Sequence, residues 1–151
     1  MATEHPISNA DRGLIAHGAV MTLLGLLSGF TPPFARAPRI ALEAHNAGII
    51  QGVMLFALAA VWPALGSSRP IVRVARWCAL VGLYANWLGA QLAAFWSTSA
   101  MFSVNGASMP PGAAPWMESF VAVLLILSGL VIVTCVLILY SLREAPAATS
   151  L

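Results

Sequence analysis

The chain has 151 residues, of which 60% are apolar and only 8% charged, against roughly 45–50% and 25% in an average soluble domain. Its seven cations are all arginine and its five acids leave a net charge of +2, too little for a nucleic-acid-binding field. A charged, water-soluble shell cannot be built from so few residues, so disorder and an ordinary soluble enzyme are excluded, and a mean hydropathy of +0.87 directs the chain to a membrane.

Four apolar stretches follow in order: Leu14–Phe30, Ala41–Trp62, Val74–Trp96 and Trp116–Tyr140, with 17, 22, 23 and 25 residues. A helix crosses the hydrocarbon with about 17–25 such residues, so all four qualify, the first only just. Within them the sole charges are Glu43, Arg76 and Glu118, each third in its stretch. The reading is an all-α, integral membrane four-helix bundle forming one domain over residues 1–151. Thr31-Pro32-Pro33, Pro38, Pro63, Pro70 and Met109-Pro110-Pro111-Gly112 punctuate it, because proline ends or precedes helices. Trp62, Trp77, Trp96, Trp116 and Tyr140 fall near span ends, where amphipathic rings favour the headgroup level. Arg12, Arg69, Arg73, Arg76 and Arg143 would share one side and Arg36 and Arg39 the other, which puts both termini in the cytoplasm by the positive-inside rule. Ala35-Arg36-Ala37 before Pro38 is a poor cleavage site, so the first span is expected to stay as helix. Cys78 and Cys135 lack any paired spacing and read as buried small hydrophobes.

Polar residues inside a membrane need a partner or a task. Span one carries His17 and a seam of small residues, Gly18, Thr22, Gly25 and Gly29, suited to close helix packing. In span two, His45, Gly48 and Gly52 stand at i, i+3 and i+7 on one helix face. That face reads either as helix packing around a satisfied histidine or as a bare surface where a planar ligand such as a porphyrin meets a metal-capable nitrogen. Asn46 and Gln51 lie off it. Span three places Tyr84, Trp87 and Gln91 on one stripe continued by Phe95, which serves packing or cradles an aromatic substrate. Asn86, Gly89, Ala90 and Ala93 form a separate face. The Ser97–Pro115 loop, with Asn105-Gly106, reads as a turn-rich cap, and span four as apolar scaffold. No soluble catalytic signature and no intramembrane carboxylate pair occurs.

The run Arg39-Ile40-Ala41-Leu42-Glu43-Ala44-His45, with Gly48, Gly52 and Val61-Trp62-Pro63, resembles the hydroxylaminobenzene mutase family. So do Gly82-Leu83-Tyr84-Ala85-Asn86-Trp87-Leu88, Ala93-Ala94-Phe95-Trp96-Ser97-Thr98-Ser99 and Ala114-Pro115-Trp116-Met117-Glu118. These blocks span most of the chain, and Tyr-Ala-Asn-Trp-Leu is the specific one. The family is similar in turn to the styrene oxide isomerases, four-helix bacterial membrane proteins that use ferric haem b and form trimers. The resemblance therefore implies an isomerase of the bacterial inner membrane converting aryl hydroxylamines to aminophenols, haem b as cofactor, His45 as iron ligand and a homotrimer. It also brings Gly48 and Gly52 to the haem, and Arg36 or Arg39 to a propionate, since guanidinium matches carboxylate bidentately. Tyr84 and Trp87 would face the arylnitrenium-like ring that N–O cleavage leaves, with Asn86 and Gln51 orienting the substrate.

Two positions depart from the family pattern. Ala47 stands where it carries Glu, and Gln51 where it carries Asn. The isomerases' catalytic tyrosine has no assigned counterpart here. Rival readings are an epoxide isomerase on the same scaffold, a bis-histidine cytochrome using His17 and His45, and a small multidrug transporter. The last would want an embedded acid, whereas Glu43 and Glu118 lie near span ends.

Overall fold

The computed structural model describes residues 9–65, 70–102 and 112–143, with side chains from Arg12 onward. Its helices are α1 (Asn9–Ser28), α2 (Pro38–Val61), α3 (Pro70–Trp96), α4 (Pro115–Ser128) and α5 (Leu130–Arg143), the last two forming a single span. Asn105-Gly106, Arg69 and both chain ends lie outside the described residues. Three stretches, Pro38–Leu65, Pro70–Trp96 and Pro115–Arg143, are long and apolar enough to cross a membrane, while the apolar part of α1, Arg12–Ser28, is shorter. The all-helical, four-helix architecture expected from the sequence is the one observed, with three of its helices long and apolar enough to span.

The boundaries differ in ways that local chemistry explains. Pro38 and Arg39, expected in a loop, open α2. Proline suits the first helical turn because its missing N–H would be unpaired there anyway. Ala37 precedes it and donates its N–H to the Ala94 carbonyl at 3.0 Å, pinning the start of α2 to the end of α3. Pro63 does not end the second span outright, because a 3-10 turn carries it to Leu65. Trp62 lies in that turn and is 1% exposed, so it is a core residue and not the interfacial ring expected. Trp77, Trp116 and Tyr140 are exposed near their helix ends. Trp96 instead packs edge-on against Trp116, ring centroids 5.3 Å apart. Span four breaks at Gly129, where its N–H is shared between Ile126 and Leu127 carbonyls and Ser128 Oγ bonds back to Leu125 O at 2.6 Å. Glycine's low helix propensity and a back-bonding serine together loosen the turn. Cys78 is half-buried and Cys135 exposed, so the burial expected of both is not found.

Helix α3 ends without glycine. Ser97 takes φ +58° and Thr98 N–H reaches back to Ala93 O, the six-to-one bond of a left-handed helix cap. The Glu118 carboxylate then accepts from the backbone N–H groups of Ser99 and Ala100 at 2.9 and 3.2 Å. This acid, one of three charges within the spans, clasps the start of α4 to the end of α3.

The order of packing is α1 on α2, α2 on α3, and α3 against α4 and α5. Two apolar clusters hold it. One joins Leu14, Met21, Leu55, Trp62, Val72 and Leu83, and the other joins Ala37, Ile40, Ala41, Ala93, Ala94 and Val121. Residues 45–52 of α2 and 84–91 of α3 lie between these clusters along their helices, and the polar groups concentrate there.

Candidate active site

The two small-residue patterns legible in α1 and α2 turn out to be one interlocking seam. A Cβ added to Gly25 would come 2.5 Å from Ile49 N and 2.7 Å from Gly48 C, and one added to Gly48 would come 2.5 Å from Gly25 Cα. On either side, side chains occupy what the glycines leave: Thr22 against Gly52, Phe56 against Gly18, and the His45 ring against Gly29. The helices run antiparallel with glycine on at least one side of every rung. The open surface expected along Gly48 and Gly52 for a planar ligand is therefore filled by α1. Packing is the role these two glycines have, because neither position has room for a methyl group.

His45 is held by this seam. Its Nδ1 lies 2.7 Å from the Gly25 carbonyl oxygen, and a carbonyl only accepts, so Nδ1 carries a proton and in the neutral ring Nε2 is the nitrogen with the lone pair. This is the arrangement that orients a metal-binding imidazole through its second nitrogen. The ring is half-buried. Among the described residues no three His, Cys, Asp or Glu side chains gather as a metal site.

On the α3 stripe, Tyr84, Trp87 and Gln91 face α1, each with a hydrogen-bond partner, while Phe95 is exposed. Tyr84 Oη shares a hydrogen bond with His17 Nδ1 at 3.2 Å, the rings meeting edge-on at 5.8 Å. Trp87 Nε1 donates to Ser28 Oγ at 3.0 Å, and Ser28 Oγ donates to Leu24 O at 2.6 Å. Gln91 Nε2 donates to Thr31 Oγ1 at 3.0 Å. Trp87 also borders the His45 helix, its Cδ1 lying 3.0 Å from where a Gly48 Cβ would sit. Ser28, Gly29 and Thr31 at the end of α1 thus gather Trp87, His45 and Gln91. Sequence reading missed Ser28 and Thr31; their signal was a hydroxyl at each end of the turn that closes an apolar span.

Other candidates fall elsewhere. Gln51 is buried at 7% exposure, and its Oε1 has no partner among the described residues. Asn86 is half-buried but stands two residues from Tyr84, about 200° around the helix at 100° per residue. It shares that flank with Gly82, which borders Val131 and Ser128, and Gly89, which borders Leu124 and Leu125. Asn86 is thus not brought together with Tyr84 and Trp87, as expected, but turned toward α4 and α5. Arg36 and Arg39 are exposed, the Arg36 guanidinium lying beside Gly112. His17 and His45 are kept apart: His45 packs at Gly29, and the twelve residues separating Gly29 from His17 span about 18 Å of helix. One haem cannot bridge them, which removes the bis-histidine cytochrome.

Fold and site together define a small helical membrane protein with a fixed imidazole and an indole on a polar seam. The styrene oxide isomerase family model matches residues 10–143, and the chain belongs to this family of membrane isomerases. It is 37% identical over 147 residues to hydroxylaminobenzene mutase HabB of Ectopseudomonas oleovorans, covering 97% of this chain and 87% of that one. It is 38% identical over 87 residues to hydroxylaminobenzene mutase HabA of the same organism, covering 58% of this chain and 64% of that one. No solved structure matches the chain.

Proposed function

We propose that the protein rearranges aryl hydroxylamines to 2-aminophenols, as the names of its two relatives suggest, with His45 Nε2 holding a ferric haem b. The observation that carries this reading is the Nδ1–H bond from His45 to the Gly25 carbonyl, which fits a ligating imidazole. Bound there, the haem would supply a Lewis acid that weakens the N–O bond. The chain's own groups do the rest. Trp87, fixed by Ser28, offers a π face to the electron-poor ring, worth roughly 0.5–2 kcal/mol. Gln51 presents a buried amide oxygen to a substrate hydrogen. As the N–O bond breaks, the ring becomes an arylnitrenium-like cation, and the apolar spans exclude water that would otherwise capture it before the departing oxygen joins the ortho carbon. Arg36 or Arg39 would pair with a propionate. Four of the described arginines (Arg12, Arg73, Arg76, Arg143) lie at the end of the bundle where α1 and α3 begin, against two at the other, which supports cytoplasmic termini in a bacterial inner membrane. Assembly as a homotrimer belongs to the same reading.

Turnover of phenylhydroxylamine in oxygen-18 water tests it. Holding the reacting atoms together is worth about 7–11 kcal/mol, enough to outrun a water that must first enter an apolar site. The expected product is 2-aminophenol with unlabelled oxygen. Heavy label, or mainly the para isomer, would overturn the reading. The family model's name supports a second substrate, styrene oxide, and its turnover beside phenylhydroxylamine decides between them.

A further inference from the structure

The stripe's third member, Gln91, is absent from the machinery described so far, yet it is built like a recognition group. It is 9% exposed, and its Oε1 has no hydrogen-bond partner among the described residues. Native proteins leave few buried acceptors in that state. The other end of the amide is committed. Thr31 Oγ1 donates its only hydrogen to Ser28 O at 2.7 Å, so toward Gln91 it can only accept, and it accepts from Nε2 at 3.0 Å. Reversing the amide would set two acceptors against each other. The relay Gln91–Thr31–Ser28 therefore fixes Oε1 as a pure acceptor, in the same turn of α1 that holds Trp87 and His45.

We propose that Gln91 is a specificity determinant, its Oε1 accepting an N–H or O–H hydrogen from an aromatic substrate stacked near Trp87. For the identity of that substrate this rests on the aryl hydroxylamine reading. An aryl hydroxylamine carries both kinds of hydrogen, and an aminophenol product does too. An epoxide carries neither, and would leave the Gln91 and Gln51 oxygens buried and unpaired. A site made to hydrogen-bond its ligand rejects an analogue lacking the donor more strongly than a greasy pocket rejects a size change. Gln91 with its relay would thus turn a shared family scaffold from epoxides toward donor-bearing substrates.

The test uses the purified full-length protein in lipid nanodiscs and two ligands of matched shape, aniline with N–H donors and toluene without. Calorimetry gives the ratio of their dissociation constants. Gln91→Met keeps the length and removes the acceptor, and should shift that ratio about tenfold toward toluene. Thr31→Val leaves Oε1 in place but frees the amide, and should shift it the same way by about threefold; it also carries the test should Gln91→Met not fold. In turnover, Gln91→Met should raise KM for phenylhydroxylamine more than it lowers kcat. An unchanged binding ratio in both variants overturns the assignment. If wild type turns over phenylhydroxylamine while that ratio stays unchanged, Gln91 is dismissed and the substrate reading stands. If wild type turns over none but the ratio collapses in the variants, the acceptor stands and the substrate reading falls.

Discussion

The α1–α2 seam and the outer span of α4 and α5 are both built from apolar helices, yet different forces hold them. At the seam, backbone meets backbone: Gly25 and Gly48 touch, and His45, Thr22 and Phe56 sit where glycines opposite make room. The outer span meets α3 through side chains alone at Gly89, where Leu124 and Leu125 lie, while at Gly82 the Val131 side chain is joined by the backbone of Val131 and Ser128. Its other face is bare, with Phe120, Val123, Ile126, Ile132, Val136 and Leu139 all exposed. Lipid is as apolar as leucine, so burial between helices gains nothing in a bilayer, and close packing with polar bonds must do the holding. The seam has both along its length, whereas the outer span relies on the Glu118 clasp at one end and the Thr134 bond to the Ala75 carbonyl nearer the other. The seam is thus the place where a side chain can be held to the tolerance catalysis needs.

The largest effect expected is functional and belongs to the seam. His45→Ala removes the imidazole and its contact with Gly29 but leaves the Gly25–Gly48, Thr22–Gly52 and Phe56–Gly18 contacts in place, so the helices should assemble nearly as before. Outer-shell changes at metal ligands typically cost 10–100-fold. With His45 as the proposed haem ligand, its loss should cost at least about 100-fold in turnover, together with any Soret band the wild type shows. Circular dichroism and an absorption spectrum on one sample check both halves. Normal haem and turnover in this variant would remove His45 from the site.

How the sequence encodes this division can be followed residue by residue. The outer span was legible as scaffold because apolar residues run through it almost unbroken. The small-residue seam of α1 and the His45, Gly48, Gly52 face of α2 were each visible as a period of three and four. That they pair with one another was not, because helix periodicity names a face and not its partner. Gly48 therefore read equally well as a ligand surface. Asn86 was legible on a separate face from Tyr84 and Trp87, and only the family resemblance brought it to the substrate, while 100° per residue turns it away. The tautomer of His45 depends on a backbone carbonyl twenty residues distant, for which no side-chain pattern gives a sign.

A stability measurement sharpens the contrast. In an exposed helix, Gly→Ala stabilises by about 1 kcal/mol. Gly48→Ala should reverse that sign, because its methyl group would press on the Gly25 backbone at 2.5 Å. Overpacking of this kind costs about 1–3 kcal/mol. Gly89→Ala is the matched control on the other side of the bundle. Its nearest neighbours are Leu125 and Leu124 side-chain atoms at 3.1 and 3.3 Å, which can move by a few tenths of an ångström. Its change should stay within about 0.5 kcal/mol. Denaturant unfolding in mixed micelles compares the two, and equal losses would mean that α3 and α4 are as tightly keyed as α1 and α2.

The smallest effect should come from the bare face itself. Ile126 and Ile132 are 69% and 70% exposed, and in a bilayer that exposure is to acyl chains. Ile126→Leu and Ile132→Leu keep the volume and the polarity, so the transfer from protein contact to lipid contact hardly changes. What remains is the loss of a few dispersion contacts worth about 0.1–0.2 kcal/mol each, partly restored by lipid. Unfolding free energy and turnover should therefore both match wild type within about 0.5 kcal/mol. A larger loss at either position would show that the face is not lipid-exposed in the working protein but keyed into another helix. A second copy of the chain is then the natural partner, and crosslinking yield from cysteines placed at the same two positions would show whether it sits there.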